Sequence, residues 1–181
     1  MALTAEQFSE LALRELDAVS RLARALCRNT AEAEDLIQDT FLKAIRSRNT
    51  FTLTEVGMRP WLLRILRNTW INRANRSKLE PDLLQPDLLE QLPEVSADLA
   101  FEDWRASDTR LVQAIEGLPE ALRTTILLWA IEDLSYKDIA DVTSVPIGTV
   151  MSRLHRARRM LADRLGELAS EHGIDRPASM E

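Results

Sequence analysis

Residues 135–161 read SYKDIADVTSVPIGTVMSRLHRARRML, and their pattern decides the class of fold. Ser135 precedes an apolar-periodic run and Asp138 stands three positions on, the spacing of a capping box at a helix start. Ala140 is small where two helices cross closely, and Ile139, Val145, Val150 and Leu154 supply an inward face. Pro146 suits the opening of a second helix, where its missing N–H is no loss. A short helix, a tight turn and a longer basic helix make a helix-turn-helix. The turn carries Ser144 where glycine is usual, so one residue there is expected in a left-handed or bridge conformation.

The second of these helices places Thr149, Ser152, Arg153, Arg156 and Arg159 opposite the apolar face, with Met151 and His155 beside them. Such a face suits a DNA major groove. Arginine pairs bidentately with guanine, and serine and threonine hydroxyls hold phosphates. Neither His155 nor the single cysteine, Cys27, has partners at metal-ligand or triad spacing, so no catalytic centre, metal or cofactor is expected. Cys27 reads as a small packed hydrophobe.

Working outward, apolar residues recur at spacings of three and four along most of the 181 residues, and strand alternation is absent, so the chain reads as all-α. A first helix is expected over Ala5 to Cys27, with Phe8, Leu11, Leu16, Val19, Leu22 and Leu26 inward. Thr30, followed by Glu32, Glu34 and Asp35, marks the start of a second helix reaching about Arg46. Residues 47–58 read as a loop, and Pro60 fits the first turn of a third helix ending near Arg76. Pro81, Pro86 and Pro93 exclude a long regular helix from the stretch after it. Beyond Gly117, Pro119 opens a helix whose run from Ala121 to Ile131 is apolar enough for a core, with Trp129 packed in it.

The expected organisation is two small helical domains joined by a flexible acidic linker, the second a winged-helix-like four-helix domain carrying the helix-turn-helix. The boundaries read as 1–78, a Pro/Leu-rich linker at 79–99, 100–170, and a C-terminal tail at 171–181. The net charge of −6 alone disfavours a nucleic-acid partner. Its distribution reverses that impression, because residues 59–78 carry a net +6, residues 79–108 a net −8 and residues 145–165 a net +4. The longest apolar run, Ile126 to Ile131, is far short of the roughly 20 residues that cross a bilayer, so no membrane insertion is expected and a cytoplasmic location fits.

Three stretches together resemble the extracytoplasmic-function sigma factors, the small two-domain initiation subunits of bacterial RNA polymerase. They are AEAEDLIQDTFLKAI at 31–45, RPWLLRILRNTWIN at 59–72 and LSYKDIADVTSVPIGTVMSRLHRARRML at 134–161. RNTWIN and GTVMSRLHRAR are most similar to the thiol/oxidative-stress subgroup. The resemblance implies a stress-response sigma factor that binds core polymerase through its beta-prime clamp and beta subunits. It further implies promoter DNA as ligand, an anti-sigma factor as partner, and no enzymatic activity.

By the same resemblance the helix at 32–46 docks on the clamp, with Leu36, Ile37, Phe41 and Leu42 as apolar area and Asp35, Gln38 and Asp39 as a polar stripe. Minus-ten recognition and melting fall on the third helix and its preceding loop. There Arg64, Arg67, Arg73, Arg76 and Lys78 follow the backbone, Asn68 and Asn72 read base edges and Phe51 stacks on an extruded base. Many family members carry Asp where Asn72 stands, so the base read there can differ. Trp70 is left evenly between core packing and aromatic support of the melted strand. Thr149, Met151, Ser152, Arg153, His155, Arg156 and Arg159 are the implied minus-thirty-five readers. An acidic linker suits a basic polymerase channel and, in the free protein, would fold over the two basic islands. The alternative reading is a sigma mimic that titrates an anti-sigma factor without promoting transcription.

Overall fold

The computed structural model describes residues 3–27, 29–54, 57–77 and 109–171, and among them every regular element is helical. The linker and the tail expected from the sequence lie outside the described residues. So does the proposed folding of the linker over the basic islands.

The first half begins with α1 (Ala5–Arg14) and α2 (Leu16–Leu26) where one helix was expected. Thr4 starts α1 with a full capping box, its hydroxyl accepting from the Gln7 N–H and its own N–H donating to the Gln7 carboxamide. The break falls at Glu15, at φ −96° and ψ 8°, whose N–H tightens onto the Ala12 carbonyl. Its carboxylate accepts from Arg59 Nε at 2.7 Å. No proline or glycine marks this break. The changed phase leaves Leu16 exposed, against expectation, while Val19, Leu22 and Leu26 stay buried.

Helix α3 (Thr30–Arg46) is capped one residue earlier than expected, by Asn29, whose side chain accepts from the Glu32 N–H at 2.9 Å. A single 3-10 turn (Arg48–Thr50) follows. Helix α4 (Arg59–Ser77) then packs along α3 and α2, burying Leu62, Leu63, Leu66, Thr69 and Trp70. Cys27 is buried as a core residue.

The second half is four helices: α5 (Thr109–Glu116), α6 (Glu120–Ala130), α7 (Tyr136–Thr143) and α8 (Ile147–Glu171). No strand, and hence no wing, occurs among the described residues. Helix α6 is the core helix, with Leu122, Ile126, Leu127 and Leu128 buried. Helices α7 and α8 form the helix-turn-helix. Ser135 caps α7 by accepting from the Asp138 N–H, and its hydroxyl donates to the Asp138 carboxylate at 2.6 Å. The two halves share one apolar cluster, with α4 against α7 and α2 against α6.

The turn behaves as the sequence requires. Ser144 adopts φ 57° and ψ 41°, squarely left-handed, and it is exposed. That conformation costs a non-glycine residue about 1–2 kcal/mol, partly offset in glycine by the entropy it loses on folding. Ser144→Gly is therefore expected to raise stability by roughly 0.5–1 kcal/mol, a Tm increase of about 1–4 °C for a chain of this size. Thermal melts followed by circular dichroism check this, and Ser144→Val should move the Tm the other way.

Candidate nucleic-acid interface

On α8 the side chains separate into two faces. Arg159 is exposed, and Thr149, Met151, Ser152, His155 and Arg156 are half-buried on the outer side. The Ser152 hydroxyl donates to the Thr149 carbonyl at 3.1 Å, a local tie that fixes its direction. Arg153 departs from expectation, with only 7% of its surface exposed. It lies on the stripe of Val150, Leu154 and Ala157, all buried, and so belongs to the packed side of the helix. Two arginines that the sequence reading did not single out complete that side. Arg158 lies over the Trp129 ring at 4.3 Å, pinning α8 to α6. Arg164 donates to the Ala114 carbonyl at 3.0 Å, satisfying the end of α5.

On α4, Arg64, Asn68 and Asn72 are exposed and fall four residues apart, which sets them in one row along the helix. This row is the outward face of the +6 island. Arg67 is half-buried, with Nη1 3.4 Å from Asn68 Oδ1. The side chain of Arg76 and the whole of Lys78 lie outside the described residues. Arg73 turns inward, donating through Nη2 to Asp39 Oδ2 at 2.5 Å and to the Asp35 carbonyl at 3.1 Å. Two residues expected to serve different ligands, Asp39 and Arg73, thus brace α3 to α4.

Phe51 packs edge-on against Phe8 at 6.0 Å and tilted against Trp61 at 5.1 Å. Its ring is a wall of the core, against the expectation of a free stacking platform. Leu53, 52% exposed, is the large apolar side chain that the described part of the loop presents outward. Trp70 is buried, with Arg123 of α6 4.9 Å over its ring.

The α3 surface is also narrower than expected. Leu36 has no exposed surface and belongs to the core with Ala33, Thr40 and Ala44 at helical spacing. Phe41 is half-buried against that core. The outer face carries Asp35, Gln38 and Leu42, and beside them Ile45, which the sequence reading did not single out. Leu42 and Ile45 are 50% and 49% exposed. Spacings of three and four make these four residues one stripe, acidic and polar at one end and apolar at the other. Among the described residues, no cluster of His, Cys, Asp and Glu suits a metal ion, and no helix is long and apolar enough to cross a membrane.

Comparison with known proteins places these surfaces in context. The chain matches the family Sigma-70 region 2 over residues 11–79 and Sigma-70, region 4 over residues 108–161. It is 34% identical to the ECF RNA polymerase sigma factor SigE of Mycolicibacterium smegmatis, over 91% of this chain and 63% of that one. It is 31% identical to the ECF RNA polymerase sigma factor SigW of Bacillus subtilis, over 84% of this chain and 85% of that one. The fold is similar to the sigma factor RpoE of Bartonella quintana, solved with the anti-sigma factor NepR, at TM-score 0.63 and 28% identity, covering 87% and 96% of the two chains.

Proposed function

This chain belongs to the ECF sigma factors of RNA polymerase, and on that premise we propose how its surfaces divide the work. As a sigma factor it binds core RNA polymerase and directs it to promoter DNA. The α3 stripe of Asp35, Gln38, Leu42 and Ile45 takes the polymerase clamp, apolar contact giving affinity and the acidic end giving orientation. The α4 row of Arg64, Asn68 and Asn72, with the loop before it, takes the minus-ten strand. The outer face of α8, led by Arg156 and Arg159, enters the minus-thirty-five major groove.

The outer face of α8, with Arg159 exposed and Arg156 half-buried, and the exposed α4 row of Arg64, Asn68 and Asn72 are the observation that carries this assignment. A mimic that only titrated an anti-sigma factor would need the α3 surface and neither of these. The matched families are transcription factors and none is catalytic. Phosphoryl transfer is accordingly assigned to the polymerase, and this chain contributes recognition and strand opening in the cytoplasm. The likeness to a sigma factor solved with its anti-sigma factor supports a partner of that class for this chain.

The test is assembly on DNA. Mixed with bacterial core polymerase and size-selected genomic fragments of the source organism, the protein should co-elute with polymerase and retain a discrete subset of fragments through a heparin challenge. Random retention, or retention equal to core polymerase alone, would contradict the assignment.

A further inference from the structure

Helix α8 carries one large apolar side chain that the packing leaves out. Ile147, Val150, Leu154 and Ala157 follow one another at spacings of three and four, which sets them on a single stripe. Val150, Leu154 and Ala157 are buried, whereas Ile147, the first residue of the helix, keeps 47% of its surface exposed. The chain arrives there through left-handed Ser144 and exposed Pro146. The Pro146 carbonyl accepts from the Thr149 N–H at 2.9 Å and the Val150 N–H at 3.2 Å, closing the first turn and fixing the tip that holds Ile147.

Charge is absent from this tip. Residues 144–151 read SVPIGTVM, and the first arginine of α8, Arg153, is buried. Arg156 and Arg159, on the outer side, stand nine and twelve residues beyond Ile147. At 1.5 Å per residue they lie roughly 14 and 18 Å further along the axis, against about 3.4 Å between base pairs. The two ends of the helix therefore address different base pairs. In a helix-turn-helix the N-terminal residues of the second helix reach base edges. At this tip they are Ile147 and, one turn on, half-buried Met151. Among the four bases thymine alone offers the major groove an apolar group, its C5 methyl.

We infer that Ile147 is a specificity residue of the minus-thirty-five interface, selecting a base pair through the thymine methyl, with Met151 continuing the same apolar edge. The inference rests on the proposed assignment of α8 to that groove. It adds the class of base taken at each end, hydrogen-bonded by Arg156 and Arg159 at one and recognised by its methyl at the other. The contact discriminates by chemistry. A methyl moved from water onto isoleucine gains binding, whereas the amino group of cytosine placed there loses its water and finds no acceptor.

The test removes the methyl and nothing else. Promoter duplexes retained through the heparin challenge are resynthesised with deoxyuridine in place of one thymidine at a time, on both strands of the upstream block. Every hydrogen-bonding group is preserved. Competition binding to core polymerase carrying the full chain is then read for each duplex. With the native chain at least one substitution should weaken binding roughly three- to five-fold, the worth of one buried methyl. Ile147→Ala should bring the thymine-to-uracil ratio at that position to about one, and Ile147→Val should keep most of it. Arg159→Ala should lower affinity for all duplexes and leave the ratio as in the native chain. A loss of folded protein would also lower all duplexes alike, so the ratio separates reading from packing. If every thymine can be replaced without loss, or if the penalty persists unchanged in Ile147→Ala, the methyl reader is overturned while the assignment of α8 stands. A loaded polymerase that selects no duplex at all would overturn that assignment, and the inference with it.

Discussion

Replacing Arg156 and Arg159 together with alanine is expected to cut promoter-directed transcription by about 100-fold or more while leaving polymerase binding intact. Each base or phosphate contact from such a side chain is worth roughly 1–3 kcal/mol, and the two act on one short element. Arg159 is exposed and Arg156 half-buried on the outer side of α8, so their removal spares the packing of the second half. The contrast with Arg153 makes the prediction specific. Arg153 sits among Val150, Leu154 and Ala157 on the packed side, and Arg153→Ala should lower the Tm through lost packing, with any loss of transcription following the loss of folded protein. Multiple-round transcription, read beside thermal melts of the same preparations, separates the two effects.

The second large effect is expected on α3. Leu42→Asp combined with Ile45→Asp should weaken binding to core polymerase by about 100-fold or more. Burying a leucine or isoleucine at an interface contributes roughly 1.5–3 kcal/mol each, and a carboxylate in its place adds a desolvation cost. Both side chains are half exposed in the free protein, so folding should change by less than about 1 kcal/mol. Leu36→Ala makes the opposite trade. That residue is fully buried and its truncation should cost about 2–5 kcal/mol of stability. Fluorescence anisotropy of labelled protein titrated with core polymerase reads the first quantity, and denaturant unfolding the second.

Most of the fold was legible because periodicity and punctuation agreed. Pro60 stands in the first turn of α4, Pro119 stands directly before α6, and Pro146 precedes α8. A left-handed or bridge residue in the turn was readable from the helix-turn-helix pattern, which usually places glycine where Ser144 stands, and Ser144 is left-handed. The break at Glu15 was not readable, since no proline or glycine marks it and the carboxylate there pairs with Arg59, 44 positions away. The tie between Arg21 and Glu132 is of the same kind. Spacing within a segment carries no information about it.

Among the candidate site residues, the errors have a common form. Residue type suggests one helix face where the apolar stripe beside it decides another. Arg153 lies between Val150 and Ala157, and Leu36 between Ala33 and Thr40, so both positions belonged to the core stripe on spacing alone. The same counting finds Ile45, three residues beyond exposed Leu42. Phe51 is different in kind. Its packing against Phe8 and Trp61 brings three separate segments together, and nothing in the loop sequence marks it. Arg73 and Asp39, drawn to separate ligands by charge, satisfy each other across two helices.

The central claim is that this chain gives polymerase its choice of promoter. Mapping transcript 5′ ends made by core polymerase on the fragmented genome, with the native chain and with the Arg156/Arg159 double alanine variant, tests it most directly. The account predicts discrete starts sharing two upstream sequence blocks, one near minus ten and one near minus thirty-five, that disappear with the variant. Polymerase that binds the native chain yet starts at the same places as core polymerase alone would contradict it.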